Sequence, residues 1–395
     1  MNKFYKITAK IITLLVIIPA LSVISPGCNP GRQTCSSPLS GPVHCFQKQP
    51  WLIYDGHPDH MILLWQGTTS LPATVRWGES KEYKSGSAVI NQKSGDQLFT
   101  YKILNLKPHT DYHYKINIST DSITGSFRSA PQDNARSATF IVYGDTRTNV
   151  MIHDSLCKRM NNNIKADPEL QSFAIHVGDF VSRGNSLKNW DDEWFTFDAL
   201  NIRSFMKSVP LQACIGNHEQ NGENFAEFFP YPFVDGHYWS FDYGPAHIVF
   251  IDQYYQFTEH SKQLEWLKND LGSTSKKWKF IIFHEPGWSA GGAHKNNINV
   301  RTLIQPVAVQ YNVTAIFTGH NHYYAHALVN GIHHITTGGG GAPLYTPENI
   351  NPELTAIKKA FHYCTVKISD DILEFKAIDI NGTVFDTFSE EAAAE

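Results

Sequence analysis

Cysteine is scarce in this chain and is never spaced to grip a metal. Six occur in 395 residues, at positions 28, 35, 45, 157, 214 and 364, and no two stand at the short interval of a structural zinc site. A basic stripe is also missing. The 33 Lys and Arg against 37 Asp and Glu leave a formal charge of −4, which excludes a dedicated nucleic-acid binder that must neutralise phosphates. No repeat of solenoid period and no internal low-complexity tract is present, which excludes a repeat array or a long disordered arm. The apolar run at residues 11–24 is interrupted by Pro19 and falls short of the about 20 residues a membrane span needs.

What is there begins with a leader. Lys3, Lys6 and Lys10 precede that apolar run, and Ser25-Pro26-Gly27 follows it. Residues 1–27 therefore read as a signal segment and predict export. Cys28, directly behind a small residue, resembles a bacterial lipoprotein processing site and is a possible lipid anchor. Simple cleavage and a retained membrane helix stay open. The location expected is periplasmic, cell-envelope or secreted. Residues 28–49 are rich in Pro, Gly, Ser and Cys and read as a linker, with Cys35 and Cys45 as the expected disulfide pair. The alanine-rich tail, residues 390–395, reads as a frayed end.

From 50 to 131 the pattern is short strands with turns between them, as in MILLWQG (61–67), ATVRWG (73–78), LFTYKILNL (98–106), DYHYKINI (111–118) and GSFRSA (125–130). This predicts a small all-β sandwich. From 137 to 388 strands and helices alternate. Leu264, Leu267 and Leu271 predict a helix over 260–271 with Gly272 as its stop. A second is expected at 299–310, kinked or restarted at Pro306. The end of the chain reads as strands joined by turns at 369–371 and 381–382.

Five polar signatures follow five apolar, β-branched runs: Gly144-Asp145-Thr146-Arg147, Gly178-Asp179, Gly216-Asn217-His218-Glu219, His284, and Gly319-His320-Asn321-His322. Residues at successive strand ends can converge on one sheet edge. Carboxylate, amide and imidazole without thiolate suit iron, zinc or manganese, held open for chemistry.

These motifs in this order resemble the calcineurin-like metallophosphoesterase superfamily, and purple acid phosphatases within it, over roughly residues 50–388. The resemblance implies an α/β four-layer α/β/β/α metallophosphoesterase sandwich preceded by a fibronectin-III-like sandwich. It implies two metal ions. Asp179 would bridge them, with Asp145 and His322 on the first and Asn217, His284 and His320 on the second. It implies a phosphoester hydrolase, a phosphomonoesterase first, with a metal-bound hydroxide as nucleophile and a small-molecule phosphoester as substrate. A phosphodiesterase acting on nucleotides or lipid head groups is the enzymatic alternative. A surface binding module on a degenerate phosphatase scaffold is the non-enzymatic one.

By the same resemblance His218 is a general acid or phosphate donor, and otherwise a histidine that supports the site. His294 is substrate-facing, or a solvent-facing loop residue. Arg183, in Gly-Asp-Phe-Val-Ser-Arg-Gly, resembles the arginine that grips phosphate in Ser/Thr protein phosphatases, or is an exposed loop residue. Glu219 is expected behind the site, orienting His218 or a metal ligand. Residues 338–341, four glycines, lack the lysine and helix of a P-loop and predict close backbone approach behind the metals. Two positions depart from the family. Ser182 stands where purple acid phosphatases carry a tyrosine ligand, and Arg147 where other members carry a histidine. The first metal is left without an obvious fourth protein ligand. The remaining histidines, including His333 and His334, are expected to be non-ligands.

Overall fold

Apolar runs in the first two strands and apolar–polar alternation, clearest in the sixth, set the first seven strands in a computed structural model of the chain. They are β1 to β7: Phe46–Ile53, Met61–Gly67, Ala73–Gly78, Gly86–Ile90, Leu98–Ile103, Asp111–Ile118 and Asp121–Arg128. The structure describes residues 45–91, 97–349 and 351–392. The expected signal segment, the Cys28 anchor and residues 28–44 of the linker lie outside the described residues.

β1, β2 and β5 form one antiparallel sheet and β4, β3, β6 and β7 another. Their shared core holds Leu52, Leu63, Trp65, Val75, Phe99, Ile116 and Phe127. At one corner the Tyr112 hydroxyl accepts a hydrogen bond from the Lys107 N–H at 3.0 Å, the corner role its position suggests. β1 starts at Phe46, inside the stretch read as linker. The expected Cys35–Cys45 bridge is not seen. Cys45 is a free, buried thiol, and Cys35 lies outside the described residues.

Thirteen strands follow. β8 to β14 are Ser137–Tyr143, Ala174–His176, Leu211–Ala213, Trp239–Tyr243, Ala246–Phe250, Trp278–Ile282 and Ala315–Thr318. β15 to β20 are Tyr324–Val329, Ile332–Thr337, Leu354–Lys358, His362–Ser369, Ile372–Asp379 and Val384–Glu391. A six-stranded sheet runs β10-β9-β8-β18-β19-β20 and a seven-stranded sheet β11-β12-β13-β14-β16-β15-β17. The two pack face to face, with Phe140 of β8 meeting Phe280 of β13 at 5.2 Å between ring centres.

Helices cover the outer faces: α1 (Val150–Ala166), α2 (Leu200–Met206), α3 (Lys262–Ser273) and α4 (Gln305–Gln310). In β13, Phe280 and Ile282 face the inter-sheet core, while Ile281 packs in the helix-covered core with Leu264, Leu267 and Val307. A strand with both faces buried has no polar side, which is why these runs read as continuous apolar stretches. The four layers are therefore α/β/β/α, with the sandwich joined to one side.

Two details differ from the sequence reading and one agrees. Ser261 caps α3, its hydroxyl accepting the Leu264 N–H at 3.3 Å, and Gly272 sits inside the last turn rather than after it. Pro306 does mark a restart: it stands in the first turn of α4, after a separate π-helical turn, Val300–Ile304. The tail is not wholly frayed, because β20 runs to Glu391 and the Ala392 N–H bonds the Asp371 carbonyl. No helix among the described residues is long and apolar enough to cross a membrane.

Candidate metal centre

The two sheets bring the five signatures together by direction. β8, β9 and β10 run parallel and end at Tyr143, His176 and Ala213; β13 and β14 run parallel in the facing sheet and end before His284 and Gly319. All five loops leave the same edge. Asp145, Asp179 and His320 hold φ of 57°, 59° and 68°, a left-handed conformation that Asp and His tolerate better than branched residues and that concentrates strain at the site. Glycines make room. A Cβ on Gly216 would stand 2.3 Å from Asp179 Oδ1, and one on Gly319 would stand 2.2 Å from Asp145 Oδ2. The 338–341 glycines do lie close, as expected: Gly340 N–H bonds the Gly144 carbonyl at 2.8 Å, and Gly338 backs onto Asp145.

Asp179, 1% exposed, divides its oxygens between two halves of the site. Oδ1 accepts the His218 N–H at 3.1 Å and faces His284 Nε2 at 3.2 Å. Oδ2 faces Arg147 Nε at 3.6 Å and His218 Nε2 at 3.8 Å. On one half, Asp145 Oδ1 lies 3.5 Å from His322 Nε2, and Asp145, Asp179 and His322 offer ligand atoms within 4.8 Å of one another. On the other half, His320 Nδ1 and Asn217 Oδ1 stand 3.0 Å apart beside His284, whose ring lies 5.1 Å from that of His320. The six expected ligands are thus brought together.

The donor set fits a metal centre. His284 donates Nδ1–H to the Val177 carbonyl at 2.7 Å and His322 donates Nδ1–H to the Pro343 carbonyl at 2.9 Å. A carbonyl only accepts, so each ring turns Nε2 to the site, the posture of a ligating histidine. His284 Nε2 and Asp145 Oδ2 are buried without a hydrogen-bond partner. Burial raises Asp145 to about 8, with the Asp179 charge adding to it, while His284 and Arg147 work against the rise. Burial alone would raise Asp179 too, but His284 and His218 hold it below the usual carboxylate range. Burial lowers His320 to about 2 and His322 to about 4, leaving both neutral and free to ligate. His284 goes the other way: burial opposes its charge, but Asp179 and Asp145 outweigh it, so positive charge, whether a proton or a metal ion, is favoured at its Nε2.

Two carboxylates clamp the loops. Glu219 accepts the N–H groups of Gly216, Asp179 and Phe180 at 2.8–2.9 Å, tying the second signature to the third. Its role is to fix backbone rather than to orient His218. Glu193, which sequence reasoning missed, accepts the N–H groups of Thr148 and Ser182 at 2.7 and 2.9 Å and the Ser182 hydroxyl at 2.9 Å. It sits in a π-helical segment, Trp190–Trp194, and no motif signals it. The Ser182 hydroxyl is thereby held by Glu193 and Thr148.

The substrate-side candidates are spread. His218 donates Nδ1–H to the Ser182 carbonyl at 2.8 Å and presents Nε2 to the site. His294 is half-buried, its ring 4.0 Å from that of His320 and 5.5 Å from Tyr345. Arg183 is exposed and makes no side-chain hydrogen bond or ion pair to the site residues among the described residues. The arginine that does enter is Arg147, and Tyr345 joins it by stacking on the His322 ring at 4.1 Å.

Residues 138–324 match the family model described as calcineurin-like phosphoesterase. Among curated proteins, the chain is 26% identical over 295 residues to a probable purple acid phosphatase 20 of Arabidopsis thaliana, covering 68% of this chain and 66% of that protein. It is 24% identical to acid phosphatase type 7 of Mus musculus, covering 71% and 70%. It spans 55% of the length of Arabidopsis purple acid phosphatase 15. Among solved structures, purple acid phosphatase PPD1 from yellow lupin superposes with a TM-score of 0.72 at 17% identity, covering 87% of this chain and 74% of that one. PhoD superposes with a TM-score of 0.70 at 12% identity, covering 90% and 92%. The fold is that of these phosphatases.

Proposed function

We propose that this chain, a purple acid phosphatase-like member of the calcineurin-like metallophosphoesterases, is an exported, metal-dependent phosphomonoesterase holding two metal ions. One observation supports the reading: the buried Asp179 carboxylate sets Oδ1 3.2 Å from His284 Nε2 and also belongs to the group with Asp145 and His322 whose ligand atoms lie within 4.8 Å of one another. Asp145, Asp179 and His322 would hold the first ion. Asp179, Asn217, His284 and His320 would hold the second. Bound there, the ions supply Lewis acidity toward phosphoryl oxygens and a nucleophile near neutral pH.

The chain's own groups do the rest. His218 is fixed by the Ser182 carbonyl with Nε2 toward the site, so a proton carried on Nε2 can pass to the departing oxygen. His294, beside His320 at the mouth, is placed to meet the substrate's outer oxygens. Glu219 and Glu193 keep the loops from relaxing as charge shifts. Export and any lipid anchor at Cys28 rest on the leader sequence, and mass spectrometry of the mature chain tests them.

The test is a metal-reconstituted protein assayed on p-nitrophenyl phosphate and on its bis ester. Metal-dependent hydrolysis that favours the monoester is expected. Faster turnover of the bis ester would reassign it as a diesterase. Hydrolysis of neither by the metal-loaded chain would make it a binding module.

A further inference from the structure

Arg147 occupies the ground that the first ion needs. Its Nη2 lies 3.5 Å from His322 Nε2, its Nε 3.6 Å from Asp179 Oδ2, and its Nη1 3.4 Å from Thr148 Oγ1. Asp145, Asp179 and His322 are also the three residues whose ligand atoms cluster tightly enough for one ion. His322 spends its Nδ1–H on the Pro343 carbonyl, so Nε2 has a single lone pair to give. That lone pair can accept a guanidinium N–H or bind a metal, but not both. A divalent ion beside the guanidinium would also be repelled by it.

The guanidinium is not locked in place. Its contacts with His322, Asp179 and Thr148 are 3.4–3.6 Å long, at the outer limit of hydrogen bonding, and the Tyr345 hydroxyl is a further neighbour. Arg128 shows what a structural arginine looks like here, with 2.7 and 2.8 Å bonds to Glu169 and Asp111. Arg147 keeps 16% of its side chain exposed, which leaves it a way out toward the mouth.

Resting on the two-ion reading above, we infer that Arg147 is a displaceable resident cation. It and the first ion exclude one another at His322 Nε2. The two half-sites therefore fill in order, the Asn217–His284–His320 half first, and Arg147 sets the affinity of the other. This goes beyond counting ligands. Three protein ligands against four already make the first ion weaker, and removing Arg147 adds no ligand.

The experiment is a zinc titration of the metal-free chain by calorimetry, with bound zinc per chain measured by elemental analysis. The wild type is expected to bind in two steps separated by about tenfold or more. Arg147→Met keeps the length, removes the charge and supplies no strong donor; it should tighten the weak step by about tenfold and leave the strong step unchanged. Arg147→Lys keeps a charge, should leave the weak step weak, and guards against a fold defect in the first variant. Two equal steps in the wild type, or a weak step unmoved by Arg147→Met, would overturn the inference and leave the site reading intact. A wild type that binds no zinc, or whose zinc survives Asp179→Asn unchanged, would overturn the site reading itself.

Discussion

His320 and His322 sit in the loop after β14, and His326 and His333 lie a few residues further on, in the β15–β16 hairpin. The two pairs are the same side chain in one stretch of chain, yet their surroundings give them different work. In the hairpin all four ring nitrogens are used. Asp386 meets His326 Nδ1 at 2.9 Å, His326 Nε2 meets His333 Nδ1 at 2.8 Å, and His333 Nε2 meets Glu390 at 2.7 Å. This chain staples the hairpin of the seven-stranded sheet to β20 of the six-stranded one. In the loop, His322 has one nitrogen tied to backbone and the other turned toward Asp145, with the Arg147 guanidinium 3.5 Å away. His284, from the next strand end, repeats the pattern. His247 on β12 is a third case, gripped by Asp242 and Asp270 at 2.7 and 2.9 Å. The lesson is that a histidine is available to a metal only where the fold leaves one nitrogen without a protein partner.

The strongest way to break this contrast is Asp179→Asn. It removes charge from both halves at once and should cost about a thousandfold or more in kcat together with at least one bound metal. Full metal content with near-normal turnover would end the site assignment. Next, His320→Ala should lower metal retention and activity by about a hundredfold while barely moving the melting point of the metal-free chain. His326→Leu should do the reverse: activity per folded molecule stays, and stability to urea falls by about 1–3 kcal/mol because Asp386 loses a partner. Matching outcomes for the two variants would erase the distinction.

His218→Ala sharpens the chemistry. It should slow esters with poor leaving groups by about tenfold to a hundredfold more than p-nitrophenyl phosphate, which needs little protonation. Equal slowing would make His218 a binding residue.

The effect confined to the narrowest conditions belongs to His247. Burial opposes its charge, but hydrogen bonds to Asp242 and Asp270 raise it from 6.5 to about 9. A raised folded value gives stability that is complete below the unfolded value near 6.5 and fades as pH climbs through 9. His247→Gln should therefore cost up to about 3 kcal/mol at pH 6 and almost nothing near pH 10, read as paired urea titrations. A pH-independent loss would mean that packing, not charge, is what His247 contributes.

The candidate ligands were legible because metal chemistry restricts residue type and because each sits behind a readable buried strand. Asp145, Asp179, Asn217, His284, His320 and His322 needed no knowledge of distant contacts to be picked out. Glu193 was not legible, since a carboxylate that collects backbone N–H groups from two remote loops looks like any other acidic residue in its segment. Arg183 drew notice from its motif spacing, yet its backbone aims it to solvent, while Arg147 was noticed only as a missing ligand. In the fold, MILLWQG was readable as a strand, but β1 hid in a stretch whose Pro, Gly and Ser content looked like linker. The helix around Leu264 was found with its end misjudged, because Leu271 packs into the core and carries the last turn past Gly272.

β1 and β2 have a consequence for how the molecule comes apart. Leu52, Leu63 and Trp65 face the sandwich interior, while Trp51, Ile53, Ile62 and Leu64 belong to the large core that includes both sheets. The Trp51 indole donates to the Phe228 carbonyl at 2.8 Å, and the Tyr114 hydroxyl donates to the Lys207 carbonyl at 2.9 Å. A wall that is common to two rooms cannot fall in one of them alone. Heating should therefore give a single cooperative transition by scanning calorimetry, and a protease that nicks the sandwich should release the whole chain to digestion instead of leaving a resistant phosphatase core.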